Sequence, residues 1–209
     1  MKKIGFIAMG VLALSFACAP VTQYPIQLRY VPQEGYTQIK EKPQAKVITV
    51  AAFYDRRDMA DLHTIGLRTK PNGITIPLTY SGEKPEDMIT QAVRLSLFQK
   101  GYQVRQETPQ WDLNPQTAQQ AWGDWVIGGA IEGLSVEAKS SILRTVYKCT
   151  FKLRMVVADV REKEGILQQT EELSSSYSTF FFRSSTAERM VNKIIAQAVE
   201  STLADIEKR

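Results

Sequence analysis

The chain has 209 residues, with 26 Lys plus Arg against 22 Asp plus Glu, two cysteines and one histidine. The formal net charge of +4 is spread along the chain with no basic block, so composition gives no nucleic-acid signature. One histidine excludes a His-rich metal centre, and two cysteines allow at most one disulfide.

Lys2 and Lys3 open the chain, and Ile4 to Phe16 supply about thirteen mostly apolar residues. That is the size of a signal-peptide core and short of the roughly 20 residues a spanning helix needs. Small Ala17 then precedes Cys18. The arrangement resembles the bacterial lipobox, with Leu14 one place further upstream than the usual leucine and Phe16 where a small residue is commoner. It predicts a lipoprotein signal peptide over residues 1–17 and lipidation of Cys18, with palmitate among the acyl chains. Each buried methylene contributes about 0.8 kcal/mol, so several chains make release from the bilayer negligible. An ordinary secretory signal with a free cysteine and an uncleaved anchor are the alternatives. Ala19 stands where Asp would resemble an inner-membrane retention signal, which favours the periplasmic face of the bacterial outer membrane. Cleavage leaves 192 residues and a formal charge of +2, enough for one domain and a tether.

Residues 18–45 hold Pro20, Pro25, Pro32 and Pro43 and read as the lipidated cysteine followed by an extended tether. Within it, Ile26 to Tyr30 alternates in polarity, so an edge strand added to the body is the other reading. Val47 to Phe53 is nearly continuous apolar and β-branched, the pattern of a strand buried on both faces. Asp55, Arg56 and Arg57 follow it as a charged cluster. Such a cluster at a strand end is either a contact site or an Asp–Arg turn that ties the loop down. Pro71-Asn72-Gly73 is turn chemistry and predicts a small hairpin that projects from the body. Asp55, Arg56, Arg57 and Asn72 are therefore the candidate contact residues.

Pro85-Glu86-Asp87 opens a helix and Gly101 closes it, with Ile89, Ala92, Val93, Ser96 and Leu97 as its inner stripe. Tyr102-Gln103-Val104 then starts a strand placed parallel to the first by a right-handed crossover. Asn114-Pro115 predicts a short helix through Trp122. Trp125 to Val136 reads as a strand, in which Gly128-Gly129 marks a bulge or the close approach of another backbone. Thr145 to Val160 is the cleanest amphipathic strand: Tyr147, Cys149, Phe151, Leu153, Met155 and Val157 share one face, and Lys148, Lys152 and Arg154 the other. With Cys18 acylated, Cys149 is the lone thiol, and its face assigns it to the core. Ile166 to Phe180 returns antiparallel, and its exposed edge is open to pairing between copies. Ser185-Thr186-Ala187-Glu188 is a capping box before a long apolar-striped helix.

The order predicts a mixed α/β (α+β) domain over residues 46–209. Its expected architecture is a single sheet of about five strands with two main helices, one central and one long and C-terminal, packed on it. No metal-ligand motif, nucleophile elbow or phosphate loop stands in the chain, and the expectation is a non-enzyme without metal or cofactor.

Ile26 to Pro32, Phe53-Tyr54-Asp55-Arg56-Arg57, Ile65-Gly66 and Gly101-Tyr102-Gln103-Val104, together with the lipobox, resemble the YajG-like family of bacterial outer-membrane lipoproteins. The resemblance implies location and architecture and carries no catalytic residues. The resulting expectation is a membrane-anchored interaction or accessory module of the cell envelope. Its partners are the membrane, through lipid on Cys18, and another envelope protein or a second copy, with no nucleic acid. The alternative is a ligand-binding accessory lipoprotein of an ABC-type lipid transport system, which requires an apolar cavity between sheet and helix.

Overall fold

The structure, a computed structural model, describes residues 22–32 and 46–207. The lipobox, Cys18 and the tether residues 33–45 lie outside the described residues. Within them the strands are β1 (Tyr24–Gln27), β2 (Val47–Val50), β3 (Tyr54–Asp55), β4 (Thr64–Thr69), β5 (Thr75–Ser81), β6 (Gln103–Val104), β7 (Trp125–Ser140), β8 (Thr145–Asp159) and β9 (Glu164–Thr179). The helices are α1 (Pro85–Gln99) and α2 (Ser184–Glu207).

The 16-residue strand β7 is the axis of the sheet, about 50 Å long at ~3.3 Å per residue. One of its edges pairs with β8 from Trp125↔Asp159 to Ser140↔Thr145. Three short strands share the other edge end to end, all parallel to it: β2 at Trp125–Ile127, β3 at Ala130–Ile131 and β4 at Val136–Lys139. Beyond them β6 joins β2, β5 joins β4 and β1 joins β5, while β9 joins β8. The result is one mixed sheet of nine strands, which corrects the expected sheet of about five.

Two causes account for the extra strands. The apolar run Val47–Phe53 is not one strand. Between β2 and β3 the Ala52 amide donates to the Pro109 carbonyl (2.9 Å) and the Phe53 amide to Thr90 Oγ1 (3.1 Å), so these donors leave the ladder. The hairpin of β4 and β5 does not project. Its first strand completes the edge of β7 and its second recruits β1. Residues Tyr24–Gln27 are thus an edge strand of the body, starting two residues upstream of the Ile26–Tyr30 stretch whose alternation suggested one.

Both helices lie on one face. α1 begins with Pro85 in its first turn, where a missing amide costs nothing, and Glu86 and Asp87 sit at the positive end of its dipole. It ends where Gly101 adopts φ +84° and the Tyr102 amide reaches back to the Leu97 carbonyl at 3.1 Å. Its buried stripe and that of α2 (Val191, Ile194, Ile195, Ala198, Val199, Leu203) close over Ile127, Ile131 and Val136 of β7 and the apolar face of β8. Each side chain of this size contributes about 1.5–3 kcal/mol by leaving water. Cys149 sits in this layer, and burial pushes its thiol up to about 12, so no reactive thiolate forms near neutral pH. The Glu188 carboxylate accepts from Arg29 at 3.0 Å, which ties the segment after β1 to α2.

The opposite face carries a second, smaller core at one end. Residues 109–122 fold over it, placing Trp111, Leu113, Ala118 and Trp122 against Ala51, Val126, Val156 and Ala158. The short helix expected here is two 3₁₀ turns, Pro115–Thr117 and Gln120–Trp122. Asp112 pins the flap by accepting from the Thr117 hydroxyl (2.5 Å) and the Asn114 amide (3.0 Å). These two bonds, in that order, hold its carboxyl below the usual carboxylate range. A depressed folded pKa contributes stability above the unfolded value of about 3.9 and loses it as the pH falls through the folded one. Asp112→Asn should therefore flatten the acid limb of stability: urea midpoints compared at neutral pH and below pH ~4 should fall less in the variant than in wild type.

Candidate functional site

Beyond the flap, the outer face of β7–β9 is uncovered among the described residues. It presents Glu132, Ser135 and Glu137 of β7, Lys148, Thr150 and Lys152 of β8, and the polar side chains of β9. A bulge between Ile131 and Gly133 sets Glu132 out of register, and its carboxylate meets Lys152 Nζ at 3.2 Å. Both side chains are partly exposed, and a pair of this kind contributes about 0–1 kcal/mol. The face is solvated and mixed in charge.

The outer edge of β9 has no strand partner among the described residues. This edge is 16 residues long and contains neither Pro, Lys nor Arg. From Leu173 to its end at Thr179 it carries no charge. Edge strands are usually shortened, kinked, or studded with charge to prevent pairing with another chain. This one is bulged at Ile166 but pairs with β8 without a break from Leu167 to Thr179, and Ser174, Ser176, Tyr177 and Ser178 are exposed.

The expected contact set splits. Asp55 and Arg57 form a buried pair, with side chains 6% and 1% exposed and Nη2–Oδ2 at 2.7 Å. Arg57 also donates to the carbonyls of Leu62 (2.5 Å) and Thr64 (3.1 Å), so this pair ties the 56–64 loop to β3 and β4. Arg56 is exposed, with its guanidinium 5.5 Å from the Tyr54 ring centre. Asn72 is exposed in the β4–β5 turn, where its Oδ1 accepts from the Ile74 amide at 3.3 Å. The register separates the two regions: Asp55 lies beside Ile131, whereas the turn holding Asn72 lies past Lys139, at least about 25 Å along the sheet. Cys18 lies outside the described residues. His63 is exposed and packs edge-on against Tyr80, ring centres 4.6 Å apart.

No known family model matches the chain, and no curated protein matches it. Solved structures do match. Protein XCC0632 from Xanthomonas campestris, of the DUF330 family, aligns with a TM-score of 0.53 at 10% identity over 87% of this chain and 92% of that one. The fold is shared with that protein. Two bacterial lipoproteins are also among the matches. Lipoprotein GNA1162 from Neisseria meningitidis has a TM-score of 0.37 at 15% identity, over 73% of this chain and 96% of its own. A minor lipoprotein from Acinetobacter baumannii has a TM-score of 0.31 at 8% identity, over 76% and 94%.

Sequence reading missed one feature of the surface. Ile142, Leu143, Phe180 and Phe181 are 75–89% exposed at one end of the sheet. The available signal was an aliphatic pair inside the turn Ser141–Arg144, where polar residues are the rule, and three consecutive phenylalanines after β9. Among the described residues no helix is long and apolar enough to cross a membrane.

Proposed function

We propose that this protein is a lipoprotein anchored through Cys18 at the periplasmic face of the outer membrane, and that it works by binding rather than by catalysis. Its partner contributes an extended segment that pairs with the free edge of β9. The observation that carries this reading is the uncharged run Leu173–Thr179 on an edge with no strand partner among the described residues. Backbone amides and carbonyls along such an edge supply affinity, and the alternating side chains supply selection. The lipobox and the YajG-like motifs support the location.

The lipid-carrying alternative needs an apolar cavity between sheet and helices. That layer is filled by Ile127, Ile131, Phe151, Leu153 and the two helix stripes, all close to fully buried. The largest groove described, about 690 Å³, opens at the surface. The packing favours an interaction module.

Ser174→Lys with Ser176→Lys places two cations on the exposed face of the edge. Both residues are exposed, and Ser176 stands opposite Lys148, so the new like-charge pair should cost up to about 1 kcal/mol and leave the protein folded. In-cell cross-linking of the lipidated protein should then lose its captured envelope partner. Retention of the same cross-link by a folded double variant would rule out β9 as the contact, and capture of nothing but a second copy would replace the adaptor with a homo-oligomer.

A further inference from the structure

The exposed apolar residues missed by the sequence reading sit at one end of the sheet, together with a set of arginines. β7 ends at Ser140, and the turn to β8 is closed by the Ser141 amide donating to the Arg144 carbonyl at 2.7 Å. Ile142 and Leu143 stand at its apex, 89% and 79% exposed. The pairing of Thr145 with Thr179 brings Phe180 and Phe181 alongside, 79% and 75% exposed. Phe182 is turned the other way. Its ring lies 4.9 Å from Tyr24 and 5.9 Å from Tyr147, with Arg68 4.0 Å above it. That anchor holds its two neighbours outward. The β4–β5 turn reaches the same level through the pairing of Thr69 with Lys139, and adds half-exposed Ile74.

A groove of about 690 Å³ runs beside this tip. Arg144, Arg183 and Arg189 line it, and no acidic side chain does. An apolar crown with arginines behind it matches a membrane interface, where aliphatic and aromatic groups enter the acyl boundary and cations meet phosphate.

The path of the chain selects the bilayer over other occupants. Tyr24 pairs with Leu78, Leu78 with Gly66 and Gly66 with Val136, so Tyr24 lies about 13 Å below the end of β7. β1 runs antiparallel to β7, and the chain therefore enters β1 from the side of the tip. Cys18 is six residues upstream, a reach of at most about 20 Å. An acylated Cys18 thus holds the body close to its bilayer, within reach of the end that carries the exposed apolar residues. A second copy fits less well, because a two-fold contact would face three arginines, without acidic partners among the described residues, with three more.

We infer that the Ile142–Leu143 turn and Phe180–Phe181 insert into the interface of the bilayer that holds the Cys18 lipid, with Arg144, Arg183 and Arg189 on the phosphates of anionic phospholipids. This rests on the reading that Cys18 is lipidated. The sheet then stands with its strands across the interface, and the β9 edge runs away from the membrane.

The test uses the full lipidated protein in vesicles of phosphatidylethanolamine and phosphatidylglycerol. A polarity-sensitive dye is attached at Leu143→Cys and, as a control at the far end of the sheet, at Glu162→Cys. Both positions are exposed, and buried Cys149 does not compete for the label. The Leu143 label should shift to the blue and be quenched by acyl-chain quenchers, while the Glu162 label stays in water. Arg144→Glu with Arg183→Glu should abolish the shift. A protein that floats with the vesicles while the Leu143 label remains in water overturns the docking and leaves the anchor standing. A protein that fails to float, with an N-terminal peptide of unmodified mass, removes the anchor and the docking with it. A blue shift without vesicles, accompanied by a dimer in sedimentation, puts a second copy on the tip and overturns the inference.

Discussion

Gly129→Ala is expected to destabilise the protein by about 3 kcal/mol or more, which lowers the thermal midpoint by roughly 6–12 °C for a chain of this size. A Cβ at this position would stand 2.2 Å from the Arg154 carbonyl oxygen and 2.5 Å from Phe53 Cε1. Neither neighbour can yield cheaply. Arg154 belongs to β8, which is paired on both edges, and Phe53 is buried beneath α1 and β7. Relief requires the ladder between β7 and β8 to open at its middle. Gly133→Ala is the control on the same strand, because its nearest contact is Lys152 Cβ at 3.3 Å, on the wet face. That change should stay within about 1 kcal/mol of wild type, since a solvated side chain can give way. Thermal and urea unfolding of the two variants decide the matter, and equal midpoints would refute the steric argument.

The paired glycines show how far local pattern reaches. Gly128-Gly129 in an apolar run announced either a bulge or a close approach, and the structure gives the close approach at Gly129 and a bulge three residues later at Glu132. β8 was legible because its alternation is uninterrupted from Thr145 to Met155, and one wet face there fixes each side chain. α1 was legible from its ends, Pro85 and Gly101, and the short β6 beside β2 from the helix-to-strand return. What pattern could not convey is partner choice. An apolar run such as Val47–Phe53 says that both faces are covered. It does not say that the ladder breaks after Ala51, or that β3 and β4 continue along the same edge of β7. Those pairings are set by register between segments far apart in sequence, which is why the sheet has nine strands by count and only four to six at any level. The candidate surface divides in the same way. The Asp55–Arg57 turn was readable as one of two alternatives because the two residues are only two positions apart in sequence. The tip was not, because it is assembled from two hairpin turns and the connection from β9 to α2, which meet only in the folded sheet.

Arg57→Ala should cost about 3–5 kcal/mol, the range for removing one partner of a buried ion pair. The variant leaves the Asp55 carboxylate, 6% exposed, without its bidentate cation, and strands the carbonyls of Leu62 and Thr64 that Arg57 also satisfies. Asp55→Asn alone should cost less, because the amide still accepts one bond from the guanidinium and the two carbonyls keep their donors. A double-mutant cycle with Arg57→Met and Asp55→Leu separates the pair from its surroundings. If desolvation dominates, the double variant will be markedly more stable than the sum of the singles predicts, since no charge is left buried. Strict additivity would show that Asp55 and Arg57 act independently and that the loop is held by the two carbonyl bonds alone. The distinction bears on function as well as stability. A residue that only ties the 56–64 loop to the edge of β7 should change the amount of folded protein and leave the cross-linking partner per folded molecule unaltered. The β9 lysine variants should do the reverse, and the contrast between the two sets distinguishes the scaffold from the surface it presents.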